Sequence, residues 1–321
     1  MSSLDPGQIC CLIVTYDPSE KFFTLLDCIK SQVDRIIIVD NHSGDPVLNR
    51  IERVTGAENI YLIKNPGNFG VAKALNQGCE LARQMNYQWL IAFDQDSEPF
   101  PDIVKKICEV YEIYPDQGKI GAIGVNILLS GTRYYNRHSD KRRYYSRDYL
   151  ITSGTLLSLD VFNTIGGFRE DFFIDNVDLE YSLRLRKNGK VLLITNDVCM
   201  IHDPGAPVVK KILGLRIISS GHSIDRRYYI GRNTVLLTRA YLFRFPYFIA
   251  KKNFFFFLSL IQLLIAEDDR KAKLTASFRG ILDGIRYYGR PGNCNATASR
   301  AGRSGNSNAT ASRATFTRFP E

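Results

Sequence analysis

Cysteine is present seven times, at Cys10, Cys11, Cys28, Cys79, Cys108, Cys199 and Cys294, yet no C-x-x-C pair occurs and the count is odd. That excludes a disulfide framework and predicts reduced, buried thiols in a cytosolic protein. Glycine-rich phosphate signatures are missing too. With neither G-x-G-x-x-G nor a Walker lysine motif, a dinucleotide fingerprint and a P-loop are both ruled out. The residues before Gln8 are few and polar, so no signal peptide is expected. Nor does any uninterrupted apolar run reach the ~20 residues that a spanning helix needs.

What is present reads as an ordinary globular chain, 45% hydrophobic and 23% charged over 321 residues. This is room for one large α/β domain with an appendage, or two modest domains. The net charge of +9 is uneven: residues 1–206 hold 22 basic against 27 acidic residues, and residues 207–290 hold 16 against 5. A basic block interleaved with long apolar runs suits an anionic membrane surface better than nucleic acid, for which no binding motif appears.

Along the chain, Gln8–Thr15 is a continuous apolar run, as expected of a strand covered on both faces. Asp17-Pro18-Ser19-Glu20 predicts a helix start with Asp17 as N-cap, and Arg35–Asp40 a second strand, giving a β-α-β unit. A short strand at Ile60–Ile63 leads through Asn65-Pro66-Gly67-Asn68-Phe69-Gly70 into a helix whose small residues allow close approach. Further strands are predicted at Lys119–Val125 and Tyr149–Ser158, with an amphipathic helix after Pro101. The polar segment Ser130–Arg147 reads as a mobile loop or a bland surface insertion. Asp160 is expected to cap a short helix ended by Gly166-Gly167. A further helix would begin near Phe172, with Asp175 and Asp178 three apart on one face.

The central stretch is Trp89-Leu90-Ile91-Ala92-Phe93-Asp94-Gln95-Asp96. An apolar strand ends in two carboxylates one residue apart, at the edge where ligands sit in α/β sheets. Two such groups are costly to hold together unless a hard divalent cation lies between them. A solvated strand end is the alternative. The same choice, ligand or structural residue, attaches to His202.

Taken in order, these residues resemble family 2 glycosyltransferases of the GT-A fold, an α/β architecture with a mixed, mainly parallel sheet flanked by helices. The resemblance rests on Val14-Thr15-Tyr16, Val39-Asp40-Asn41, Asn68-x-Gly70-x-Ala72-x-Ala74-x-Asn76-x-Gly78 and Asp94-x-Asp96. It continues through Gly166-Gly167-Phe168, Asp178-x-Glu180-x-x-x-Arg184 and His202. The wording at 175–184, and Arg227-Tyr228-Tyr229 followed by Arg232-Asn233, look like bacterial dTDP-rhamnosyltransferases. Arg169 departs from the acidic residue that many relatives carry after Gly-Gly-Phe.

The resemblance implies roles. Thr15, Tyr16, Asp40, Asn68, Gly70, Lys73 and Asp94 would serve the nucleotide side, joined by Ser153, Gly154, Arg227 and Tyr229. Asp96 and His202 would hold Mg²⁺ or Mn²⁺ on the diphosphate, a set suited to neutralising a leaving group. Asp178 would be the general base and Asp175 its supporter or an acceptor contact, with inversion at the anomeric carbon. The implied donor is dTDP-L-rhamnose and the acceptor a lipid-linked or growing glycan. A UDP-sugar donor, or a non-catalytic membrane-associated partner, are the competing readings, and intact carboxylates speak against the second.

The expected organisation is a catalytic domain at 1–206, a basic amphipathic helical region at 207–290, and a disordered tail at 291–321. The middle region would lie on the inner face of the cell membrane, or else pack as a helical pair on the catalytic domain or in a homodimer. In the tail, Asn-Ala-Thr-Ala-Ser-Arg-Ala repeats at 295–301 and 308–314 in a setting with few apolar residues.

Overall fold

The computed structural model describes residues 4–56, 59–129, 132–133, 142–202, 207–212 and 215–287. The tail with its repeats, Cys294 and most of the 130–141 segment lie outside the described residues.

The chain begins β1 (Ile9–Thr15), α1 (Glu20–Ile29), β2 (Arg35–Asp40), α2 (Asp45–Val54), β3 (Ile60–Lys64), α3 (Val71–Gln84) and β4 (Trp89–Asp94). It continues β5 (Glu98–Pro99), α4 (Ile103–Ile113), β6 (Ile120–Leu129), β7 (Thr132–Arg133), β8 (Tyr144–Ser146), β9 (Thr155–Ser158), α5 (Leu159–Ile165), α6 (Val177–Lys187) and β10 (Val191–Ile201). The last third is a hairpin of β11 (Val208–Ile212) and β12 (Leu215–Ser219), then α7 (Ile224–Tyr241), α8 (Pro246–Ala266) and α9 (Arg270–Arg286).

The sheet order is β3-β2-β1-β4-β9-β6-β10-β5. Strands β1 to β4 run parallel to one another, as do β6 and β10, whereas β9 runs antiparallel to both of its neighbours. The expected mixed, mainly parallel sheet is therefore present.

Period-2 alternation explains the unbroken apolar runs. In β1, Cys10 and Leu12 enter the core beneath α3, α6 and α7, while Ile9, Cys11 and Ile13 enter the core beneath α1 and α4. Each is fully buried, and Ile9, Leu12 and Ile13 each contribute about 1.5–3 kcal/mol of transfer free energy. Gly78 of α3 lies so close to β1 that a Cβ there would sit 2.3 Å from Leu12. Only glycine lets the helix approach. The described cysteines are all free, and burial pushes the Cys10 and Cys108 thiols up to about 12.

Several local expectations are corrected. Helix α1 starts at Glu20 with Ser19 at the N-cap; Asp17 stands outside at φ 44, its Oδ1 accepting from the Gly44 N–H at 2.8 Å. The expected strand from Tyr149 forms only over Thr155–Ser158, because a turn at Gly154 (φ +68) reverses the chain to run antiparallel to β4. Ser158, whose hydroxyl accepts from the Val161 N–H, caps α5 in place of Asp160. Part of the presumed loop is sheet: Tyr144–Ser146 pairs antiparallel with β10. The basic region opens with a β-hairpin and so is not helical throughout. Its α8 is longer than the apolar run suggested, 21 residues starting at Pro246, enough by length and composition alone to cross a membrane.

Candidate active site

Register brings the strand-end residues together. Thr15 lies opposite Asp40 on β2, and Val14 opposite Asp94 on β4, so all three emerge at one sheet edge. The short antiparallel pairing of Ile201 with Glu98 then carries the end of β10 back beside the D-x-D turn and delivers His202. His202 Nε2 lies 3.7 Å from Asp94 Oδ2, and its Nδ1 lies 3.7 Å from Asp96 Oδ1. Ser97 Oγ is 3.3 Å from the same Nδ1.

The three side chains fit a divalent cation. Their ligand atoms all lie within 4.8 Å of one another, and two anionic oxygens with one imidazole leave positions for phosphate oxygens. The Asp94 and Asp96 side chains are 40% and 47% exposed, so the site opens to the cleft. Although its side chain is 40% exposed, desolvation by the surrounding protein raises the Asp94 carboxyl above its ordinary value, opposed by the nearby His202 and reinforced by Asp96. A cation would remove that cost. Asp94 and Asp96 stand equally close to His202, so geometry does not reserve Asp96 for metal and Asp94 for the nucleotide.

A cleft of about 480 Å³ adjoins this cluster. Of the residues expected in the site, Thr15, Tyr16, Asn68, Gly70, Asp94, Asp175, Asp178 and His202 line it. Gln95, the middle of the D-x-D, pins the Tyr16 backbone by two bonds of 2.7 and 3.1 Å. Asn41 joins the strand end to the Asn68 turn, donating to Asn68 Oδ1 at 3.1 Å and accepting from the Phe69 N–H at 3.1 Å. Gly70 stands at φ +84 where a Cβ would lie 2.5 Å from Phe173 O, so the small residue is obligatory.

Other expected contacts lie behind the wall. Asp40 is 1% exposed, and its oxygens accept from the Thr15 hydroxyl, the Ser43 N–H and the Ser43 hydroxyl. Lys73 pairs with Glu170 at 3.2 Å, away from the cleft. The Ser153 hydroxyl is buried, accepting from the Asp94 N–H at 3.1 Å, and Gly154 packs against Met200 and Val125. Tyr229 stacks on Phe173 at 4.8 Å, one layer out.

Arg227 is the clearest correction, being 1% exposed and bonded to Glu267 at 3.0 Å and to Ser220. The arginine that faces the cleft is its neighbour Arg226, which grips Asp175 with bonds of 2.8 and 3.1 Å. Sequence reasoning missed it because adjacent helix positions point about 100° apart. Glu267, against which Arg227 rests, would be raised by burial, but Lys273, Ser219 and Arg227 together hold it down at about 2.

Asp175 and Asp178 also differ from expectation. Helix α6 begins at Val177, and Phe173, Asp175 and Asn176 all adopt left-handed backbone (φ 60, 63 and 61), so Asp175 precedes the helix instead of sharing its face. Asp178, in its first turn, accepts the Leu179 N–H at 2.7 Å. Burial pushes its carboxyl up to about 6, with the Leu179 bond and Lys252 of α8 pulling the other way. The rest of the D-x-E-x-x-x-R motif is structural. Glu180 receives the Arg184 guanidinium at 2.9 Å and the Tyr241 hydroxyl at 2.8 Å, while Arg184 also donates to the carbonyls of Ile165, Gly166 and Gly167.

Comparison with known proteins follows the same lines. The glycosyl transferase family 2 profile matches residues 10–174. The dTDP-rhamnosyl transferase RfbF of Shigella flexneri is 30% identical over 302 residues, covering 90% of this chain and 99% of that protein. The mannosyltransferase PcManGT from Pyrobaculum calidifontis, solved with GDP-Man and Mn²⁺, superposes with a TM-score of 0.56 at 14% identity over 89% of this chain and 78% of that one. GalNAc-T7, solved with UDP, GalNAc and Mn²⁺, gives 0.57 at 13% identity over 87% of this chain and 56% of its own. At such identities the structures speak for the GT-A fold alone. With the profile spanning half the chain and a relative aligned along nearly its whole length, this protein belongs to glycosyl transferase family 2 and is a glycosyltransferase.

Proposed function

We propose that the enzyme moves L-rhamnose from dTDP-L-rhamnose to a hydroxyl of a lipid-linked or growing glycan, with inversion at the anomeric carbon and with Mg²⁺ or Mn²⁺ as cofactor. The observation that carries this reading is one cleft flanked by two kinds of carboxylate: a cation-fitting cluster of Asp94, Asp96 and His202, and a separate Asp178 with a raised pKa. The donor follows the named activity of the Shigella flexneri relative.

Asp178 accepts the proton of the acceptor hydroxyl as that oxygen bonds to the anomeric carbon. The bond from that carbon to the diphosphate oxygen breaks, and the electron pair leaves with the nucleoside diphosphate. Asp94, Asp96 and His202 would hold the cation, which when bound neutralises charge developing on the leaving diphosphate. Arg226 neutralises Asp175, which leaves Asp178 as the carboxylate facing the acceptor. Thr15, Tyr16 and the Asn41–Asn68 turn seat the nucleotide at the parallel strand ends.

Nucleotide release from dTDP-rhamnose, measured against UDP-sugars with each cation, tests the proposal. Preference for a UDP-sugar defeats the rhamnosyl assignment and leaves the fold untouched.

Residues 207–290 are read as the part that rests on the inner face of the cell membrane. Phe254, Phe255 and Phe257 of α8 and Phe278, Leu282 and Ile285 of α9 are exposed, with Arg244, Lys251, Lys271 and Arg279 exposed nearby. Flotation with anionic liposomes tests this; protein that stays in the soluble fraction at low salt defeats it.

A further inference from the structure

The loop that presents Asp178 is strained and clamped. Between the turn at Glu170–Phe172 and the start of α6, Phe173, Asp175 and Asn176 all occupy left-handed backbone, a region that a bulky residue such as Phe rarely adopts. Such conformations persist only where the surroundings over-determine them.

Here the over-determination comes from α7. Asn233, fully buried at 0% exposure, donates its side-chain amide to the carbonyls of Phe172 at 2.9 Å, Ile174 at 2.8 Å and Asp175 at 2.8 Å. Arg232, beside it, donates to the Asp171 carbonyl and lies over the Tyr229 ring, which stacks on Phe173. From the opposite side, the Phe173 carbonyl accepts the Val71 N–H at 2.8 Å. The loop is therefore wedged between the N-terminus of α3 and α7, with the two N–H groups of one amide shared among three carbonyls.

We infer that Asn233 is a positioning residue for Asp178. It acts through the 172–176 backbone, fixing where α6 begins and so where its first-turn carboxylate meets the acceptor. This rests on the reading of Asp178 as general base, and the clamp can be measured apart from that reading. Nothing else among the described residues gathers this loop's carbonyls with a neutral side chain.

The test compares Asn233→Ala, Asn233→Asp and Asp178→Asn with the wild-type full chain in steady-state transfer, pH profile and amide hydrogen exchange. In Asn233→Ala, kcat falls about 10- to 100-fold, as expected when a reacting group is misplaced by about 1 Å, while the donor KM stays within about threefold. Exchange across 172–178 accelerates. The acidic limb of kcat moves toward the ordinary carboxylate range, as Asp178 gains water and loses its fixed placement beside Asp94 and Asp175, which outweighs the loss of Lys252. Asn233→Asp keeps the side-chain volume with at most one donor and shows the same direction of change, which covers the case in which the alanine variant does not fold.

Wild-type kcat, pH profile and exchange in a folded variant overturn the proposal. So does a lower melting temperature with kcat per folded molecule unchanged. If Asp178→Asn remains active while exchange still accelerates in Asn233→Ala, the base assignment falls and the clamp survives as a property of the loop alone.

Discussion

The two acidic regions of the cleft are built on opposite principles. Asp94 and Asp96 sit at the end of a parallel strand, 40% and 47% exposed, facing an imidazole and lacking a basic partner within salt-bridge distance other than His202 among the described residues. Asp175 and Asp178 sit at a strained loop and a helix start, where Asp175 is neutralised by Arg226 and Asp178 is left with a single N–H and a pKa of about 6. An open pair with an imidazole suits a cation. A lone carboxylate poised near neutrality suits proton transfer.

The comparison breaks most sharply at Asp178. Replacing it with Asn is expected to lower kcat by about 10²- to 10⁴-fold while leaving nucleotide and Mn²⁺ binding intact, read by single-turnover kinetics and calorimetry. A variant that turned over at the wild-type rate would make the Asp178 carboxylate as passive as a surface residue.

Asp96→Ala or His202→Ala should do the reverse, weakening Mn²⁺ and nucleotide binding by about 100-fold, measured by titration of the free protein. Unchanged cation affinity in both would collapse the distinction between the two regions.

The pH dependence follows the sign of the Asp178 shift. Because the base must be ionised and its pKa is raised to about 6, kcat should climb as pH rises through about 6 and level above it. Asp178→Asn should lack that limb, and a limb retained in it would belong to another group.

The smallest effect is expected at Arg226. Arg226→Met frees the Asp175 carboxylate near Asp178 and should raise the midpoint of the acidic limb while lowering kcat less than tenfold, on the order of one interaction of 1 kcal/mol. A fall in donor affinity as large as that of Asp96→Ala would move Arg226 to the diphosphate side.

Much of the first region was legible from the chain. A strand buried on both faces must read as an unbroken apolar run, so β1, β2 and β4 declare themselves, and polar residues at their ends mark one sheet edge. The second region was less so. Nothing local signals that Phe173 would turn left-handed, and the expected helix from Phe172 failed because the loop is fixed by Asn233, some sixty positions away. Arg227 looked like the functional arginine; a buried carboxylate at position 267 claimed it instead.

The sequence by itself determined the parallel strands and the carboxylate-bearing edge, because alternation and strand-end chemistry are written in adjacent residues, and its ordered motifs from Val14 to His202 carried the resemblance to the family. Only the tertiary structure decided which arginine faces the cleft, that Asp40 is buried scaffolding, and that α7 clamps the loop presenting Asp178. Those outcomes depend on competition among distant partners for the same buried charges and carbonyls, and no short stretch of chain contains both competitors.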